Sequence, residues 1–185
     1  TGVYTCTKSS NSCTALTSPG MSSLAGVAMD KAGNCYADAF DTGGHVGLWY
    51  YAGCAGTGTE LTSANGFNEP YYGGISVDNS NHIATTSLFN SSFSTPSLVT
   101  VYSGCSTGTC TVVGGPFTLQ GESVFGHLGP RNDRFATTDL TDSMAEVYTY
   151  SGRGTGLSFL YSFNNGLNCA TNDCESANYG PSSPR

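Results

Sequence analysis

The chain has 185 residues, 10% of them charged, with a net charge of −7, 25 glycines, 11 tyrosines and 9 phenylalanines; ordinary domains carry ~25% charged residues. No basic run offers the Lys/Arg patch that releases counterions from phosphate, so a nucleic-acid partner is not expected. No apolar stretch approaches the ~20 residues of a membrane helix, so no membrane insertion is expected, and the aromatic bulk argues against disorder.

The chain opens at Thr1 without a signal peptide, and a trimmed mature form or a fragment is the expectation. Residues 1–19 read as two strands, 1–5 and 13–17, around a polar turn. In the next unit, residues 20–69, the strand signals fall at 26–30, 35–40, 46–51 and 59–62. The unit 70–118 is the clearest. Gly74-Ile75-Ser76-Val77-Asp78 alternates apolar and polar residues, the period of a strand, and Asn79-Ser80-Asn81 is turn chemistry. Strands follow at 82–88, 98–102 and 111–113, rich in β-branched and aromatic residues, and Gly114-Gly115-Pro116 is expected to end the sheet. The unit 119–168 has strand signals at 123–126, 135–140, 145–150 and 157–163, and a cysteine-bearing tail, 169–185, closes the chain.

Two columns keep one period. Asp30-Lys31-Ala32-Gly33-Asn34-Cys35 is answered by Asp78-Asn79-Ser80-Asn81-His82-Ile83 and, more loosely, around Asn132 to Phe135. Tyrosines recur at 4, 51, 102 and 150, each followed two residues later by a cysteine or by Gly-Cys or Gly-Arg. Repetition near 50 residues, with four short antiparallel strands per unit, predicts an all-β chain of stacked sheets. A single sheet of this size cannot bury both faces, and stacking around an axis yields a β-propeller.

The phrase Gly26-Val27-Ala28-Met29-Asp30-Lys31-Ala32-Gly33-Asn34-Cys35-Tyr36-Ala37-Asp38 resembles the NHL-repeat family of β-propellers. Gly74 to Ala84 matches less fully, and Gly126-His127-Leu128-Gly129-Pro130-Arg131-Asn132-Asp133 departs from the Asp-turn. The resemblance spans about residues 20–168 and implies a propeller fold. The family it points to includes secreted proteins, ligand-binding propellers and a few enzymes, with lactonase-like and lyase-like enzymes among related six-bladed rings.

Propellers have roughly four to eight blades, and this chain supplies about 3.5: a half blade and three full ones. Completion by another chain or by a further segment is therefore expected, and open strand edges invite strand addition or a filament.

Eight cysteines point to an oxidising compartment. The close pairs Cys6 with Cys13, Cys105 with Cys110, and Cys169 with Cys174 suit local cross-links. Cys35 and Cys54 fall at strand ends that antiparallel pairing brings together. Zinc is the rival reading, but the spacing is not CxxC-like and the histidines are scattered. A secreted or cell-surface location follows.

No catalytic constellation stands out. His45, His82 and His127 occupy three different places in the repeat. Asp30 and Asp78 occupy one place, where they either converge on an ion or sugar or accept hydrogen bonds within their own turns. Asp139 and Asp142 are too few oxygens for an ordinary calcium loop. The tyrosine column reads as packing rather than a sugar-stacking array. Alternation turns one of Trp49 and Tyr50 outward, as a ligand or partner contact, unless both are core. Asn90-Ser91-Ser92 is the N-glycosylation sequon. No cofactor is expected. The resulting expectation is a non-catalytic extracellular protein with a structural, adhesive or self-assembling role. The alternatives are part of a lactonase-like or lyase-like enzyme and a carbohydrate-binding, lectin-like propeller.

Overall fold

Fourteen strands, β1 to β14, form one two-stranded and three four-stranded antiparallel sheets in the computed structural model, which describes residues 2–7, 9–129, 131–142 and 144–163. The half blade is β1 (Tyr4–Thr7) and β2 (Ser12–Ala15). Blade 1 is β3 (Met21–Met29), β4 (Cys35–Asp41), β5 (Val46–Tyr51) and β6 (Thr59–Leu61). Blade 2 is β7 (Ile75–Val77), β8 (Ile83–Ser87), β9 (Leu98–Ser103) and β10 (Thr111–Thr118). Blade 3 is β11 (Ser123–Leu128), β12 (Arg134–Asp139), β13 (Met144–Ser151) and β14 (Gly156–Phe163). Within every blade the spatial order of strands is their chain order, which gives the meander of a propeller leaf.

Gly114-Gly115-Pro116 does not end the second sheet. Pairing resumes beyond it, Gly114 with Val101 and Phe117 with Val99, through register shifts on either side of Gly114. These bulges leave Gly115 and Pro116 out of the ladder, where a residue without an N–H does no harm. β3 likewise begins before Gly26, because bulges near Met21 and Leu24 keep it paired to β4.

The register puts equivalent residues in rows. One face of each blade carries Asp38–Leu48–Leu61, Thr86–Val99–Phe117 and Thr138–Ala145–Phe163. The opposite face carries Met29–Cys35–Tyr51, Val77–Ile83–Tyr102 and Leu128–Phe135–Tyr148. Consecutive blades pack the first kind of face onto the second. Leu48 and Leu61 meet Ile75, Ile83 and Tyr102 in one core, and Val99 and Val101 meet Leu128, Phe135 and Tyr148 in the next. The half blade buries Val3 and Leu16 against Trp49 and Tyr51.

The tyrosine column is corrected by this register. Cys35 pairs Tyr51, Ile83 pairs Tyr102, and Phe135 pairs Tyr148, so the fourth member is Tyr148 and not Tyr150. Tyr4, the first member, lies on the half blade and is exposed. The hairpin after each first strand keeps one backbone shape. Gly33, Asn81 and Asn132 all take positive φ, at 83°, 62° and 54°, the left-handed region that Gly and Asn tolerate. In blade 3, Gly129 stands where Asp30 and Asp78 stand, and its hairpin is one residue longer, closing on Arg134.

Among the described residues three disulfides are formed: Cys6–Cys13 across β1 and β2, Cys35–Cys54 across the base of β4 and β5, and Cys105–Cys110 across the turn into β10. The fourth expected cross-link is Cys169 to Cys174. Both Cys169 and Cys174 lie outside the described residues, which end at Phe163.

Candidate functional site

The aspartates of the repeated hairpin are turn acceptors. Asp30 Oδ1 accepts from the Asn34 amide at 2.8 Å and its Oδ2 from the Tyr36 hydroxyl at 2.9 Å. Asp78 Oδ1 accepts from the Ser80 and His82 amides at 2.7 and 2.8 Å, and Oδ2 from Tyr150 of the next blade at 3.0 Å. Asp139 Oδ1 is likewise bound by the Thr141 and Asp142 amides. His45 sits beside Asp41, and His82 beside Asp78, with Nδ1–Oδ2 distances of 3.2 and 3.0 Å. Burial lowers the pKa of His127. Among the described residues no three His, Cys, Asp or Glu side chains are grouped to hold a metal ion.

Trp49 is 0% exposed, which removes it as a partner contact. It lies in the row between Ala37 and Glu60, pressed under the half blade, and its indole donates to the Pro19 carbonyl at 3.0 Å. Tyr50 is half-buried against Tyr36, with its hydroxyl 3.3 Å from Asn34 Oδ1. Asn90 sits in the β8–β9 loop, where Oδ1 accepts from the Ser92 amide at 2.8 Å and Nδ2 donates to the Thr95 carbonyl at 3.2 Å.

Among the described residues two blade faces are uncovered. Val27 and Met29 on β3 are 53% and 65% exposed. Their counterparts by register, Ile75 in blade 2 and Leu128 in blade 3, are buried beneath the preceding blade. The half blade has only β1 and β2, and these cover Trp49 and Tyr51 but not the inner strand. At the other end of the array, Tyr161 and Phe163 of β14 are 51% and 39% exposed. Phe163 continues the row whose blade 1 member, Leu61, is buried under the next blade, and Tyr161 lies beside it opposite Val147.

Two cavities matter. One of about 300 Å³ lies where the first strands converge, lined by Leu24, Ala25, Tyr72, Gly73, Val124 and Phe125 among others, with no carboxylate or imidazole in its lining. The other, about 520 Å³, lies between blades 1 and 2, under the β4–β5 hairpin, the β6–β7 linker and the β8–β9 loop. Its lining includes Asp41, His45, Phe67, Glu69, Tyr71 and Phe93.

Behind this second cavity the chain buries two carboxyls. Glu69 Oε1 accepts from Thr85 Oγ1 at 2.5 Å and from the Tyr102 hydroxyl at 2.9 Å, while Oε2 has no hydrogen-bond partner. Burial pushes Glu69 up to about 8, with a smaller push from the charge of Asp38. Asp38 Oδ2 accepts from the Gly73 and Gly74 amides, Oδ1 is unpartnered, and burial pushes this group up to about 7. The sequence singled out neither residue. The available signal was Glu69 itself, an acid between Asn68 and Pro70 in a chain with few charges.

No protein-family model matches the chain, and no curated protein matches it. Solved structures do. A chain of a nidogen/laminin complex matches with a TM-score of 0.57 and 16% identity, covering 85% of this chain and 54% of that one. A Lactobacillus plantarum protein gives 0.57 and 16%, covering 86% and 47%. A putative TolB from Agrobacterium tumefaciens gives 0.53 and 9%, covering 82% and 51%. The likeness is one of fold, the β-propeller, and the chain spans about half the length of these structures.

Proposed function

We propose that this chain is a non-catalytic, extracellular propeller segment whose two uncovered faces are blade-contact surfaces serving a structural or adhesive assembly. The observation that carries the reading is the set Val27, Met29 and Phe163: apolar, exposed side chains whose register counterparts Ile75, Leu128 and Leu61 are buried between blades elsewhere in the same array. Covering such rows with another blade releases water from apolar surface at about 25 cal/mol per Å². The unpaired strands of the half blade offer backbone groups for an added strand as well. A second copy of the chain, presenting its last blade or donating inner strands, is the partner we assign.

The lining of the inner cavity, with neither acids nor imidazoles, speaks for assembly over a lactonase-like or lyase-like reaction, whose chemistry needs such groups. The three disulfides suit an oxidising exterior. The NHL-like assignment within the propeller class rests on the Asp-turn hairpins of blades 1 and 2, and Asn90 is the glycan acceptor we assign.

Light scattering on the purified chain, from about 1 to 200 μM, tests the reading across the range where interfaces of standard size associate. Concentration-dependent oligomers are expected, with Met29→Asp and Tyr161→Asp each shifting the chain to monomer without changing its circular dichroism. A parent chain that stays monomeric throughout removes the assignment.

A further inference from the structure

The cavity between blades 1 and 2 combines three features. It holds a carboxyl, Glu69, that is more than nine-tenths buried and has a free oxygen. It holds a second carboxylate, Asp41, at the end of β4. And it is walled by aromatic rings, Phe40 and Tyr71 packed edge to face at 5.0 Å, with Phe93 reaching in from the β8–β9 loop. Phe93 is 69% exposed, an unusual setting for a phenylalanine on a loop tip.

Charge decides what this cavity suits. No lysine or arginine lines it, and its one base, His45, is already engaged with Asp41. Glu69 makes no ion pair among the described residues. A buried carboxyl without a counter-charge is costly. Its elevated pKa reports that cost, and Asp38 adds to the negative field from behind. A metal ion would need more oxygen or nitrogen ligands than are grouped here. Aromatic faces beside carboxylates suit an organic cation, which the rings attract through their quadrupoles and the carboxylates through charge.

We propose that this cavity binds an organic ammonium group, its charge against Asp41 and against Glu69, which gives up its proton as the cation enters, and its carbon skeleton against Phe40, Tyr71 and Phe93. The ligand class is an alkylammonium, as found on free amines or on a lysine-bearing partner. The site is independent of the assembly faces, because none of its residues lies on β14 or on the exposed part of β3.

The test is calorimetric titration of the intact chain with butylammonium, with butanol as the neutral isostere and methyl glucoside as a saccharide. Saturable binding of butylammonium and none of butanol is expected. Glu69→Gln keeps an oxygen for Thr85 and Tyr102 and removes the group that can ionise against the cation, and it should weaken butylammonium about 30-fold or more. Phe93→Ala, on an exposed loop where folding is not at stake, should weaken it about threefold. If Glu69→Gln fails to fold, Asp41→Asn together with Phe93→Ala carries the test, with additive losses expected. Equal binding of butanol, saccharide binding that Glu69→Gln leaves unchanged, or no saturation with butylammonium would each overturn the proposal.

Discussion

Tyr102 and Glu69 are joined across a blade boundary: the phenol on the third strand of blade 2 donates to the carboxyl of the linker leaving blade 1, at 2.9 Å. The same junction recurs one blade later with other parts. There the Tyr148 hydroxyl lies 2.6 Å from Glu146 Oε2 on its own strand and accepts from the linker amide of Gln120 at 2.9 Å. At the first boundary Tyr51 meets Ser18 at 2.7 Å, and Trp49, in the row position of Glu146, donates to Pro19. A buried tyrosine at each seam thus finds a polar partner in or beside the incoming linker, which is what a phenol withdrawn from water requires.

Tyr102→Phe removes that donor and leaves the carboxyl with Thr85 alone. The variant is expected to lose about 1–2 kcal/mol of stability, read from urea unfolding, because a buried hydrogen bond to the carboxyl is lost. A change within error would show that water reaches the seam.

Trp49 is the one tryptophan in the chain and is fully buried. Its fluorescence should therefore be blue-shifted and resistant to iodide. Trp49→Ala should cost about 3–5 kcal/mol, the usual penalty for emptying a large core site. Strong iodide quenching in the folded chain would contradict the packing of the half blade onto blade 1.

Stability should fall as pH rises from about 4 to 8. Asp38 and Glu69 have folded-state pKa values of about 7 and 8, above their ordinary values of 3.8 and 4.5, and burial raises Glu146 as well. The folded state then binds more protons than the unfolded chain between those limits, so each unit of pH favours unfolding, and the effect levels off above the folded values. Melting temperatures measured at pH 5 and pH 8 should be higher at pH 5, and Glu69→Gln should shrink the difference. A higher melting temperature at pH 8 would mean that these carboxyls are paired or solvated.

Among the three disulfides, Cys35–Cys54 closes the longest loop, with a separation of 19 against 7 and 5. In the chain-entropy picture its removal costs about 3 kcal/mol and each of the others about 2. Paired Cys→Ser variants, compared by thermal unfolding, should rank in that order, and equal losses would argue for an enthalpic origin.

Much of the architecture was legible in the chain. The period near 50, the Asp-turn hairpins and the alternation along β5 and β7 are local signals, written in adjacent residues, and all fall where the strands are. The disulfides Cys6–Cys13, Cys35–Cys54 and Cys105–Cys110 followed from spacing, because a hairpin fixes which cysteines can meet. Cys169 and Cys174, to which the same spacing argument applies, lie outside the described residues. The misplacements were local too. A Gly-Gly-Pro run reads as a terminator, yet two bulges carry β10 through it, and a Tyr-Ser-Gly echo points to Tyr150 where cross-strand register selects Tyr148.

The sequence by itself determined the repeating leaf, its four strands and its covalent clips, since these depend on contacts between residues close along the chain. Only the tertiary structure decided which apolar rows find a neighbour and which do not. Val27 and Ile75 look alike as residues, but Ile75 lies under a complete blade and Val27 beside a half blade. It also decided that Glu69, inconspicuous in its linker, loses water on all sides when blade 2 closes over it. Burial is a property of what packs from elsewhere in the fold, and no local pattern encodes it.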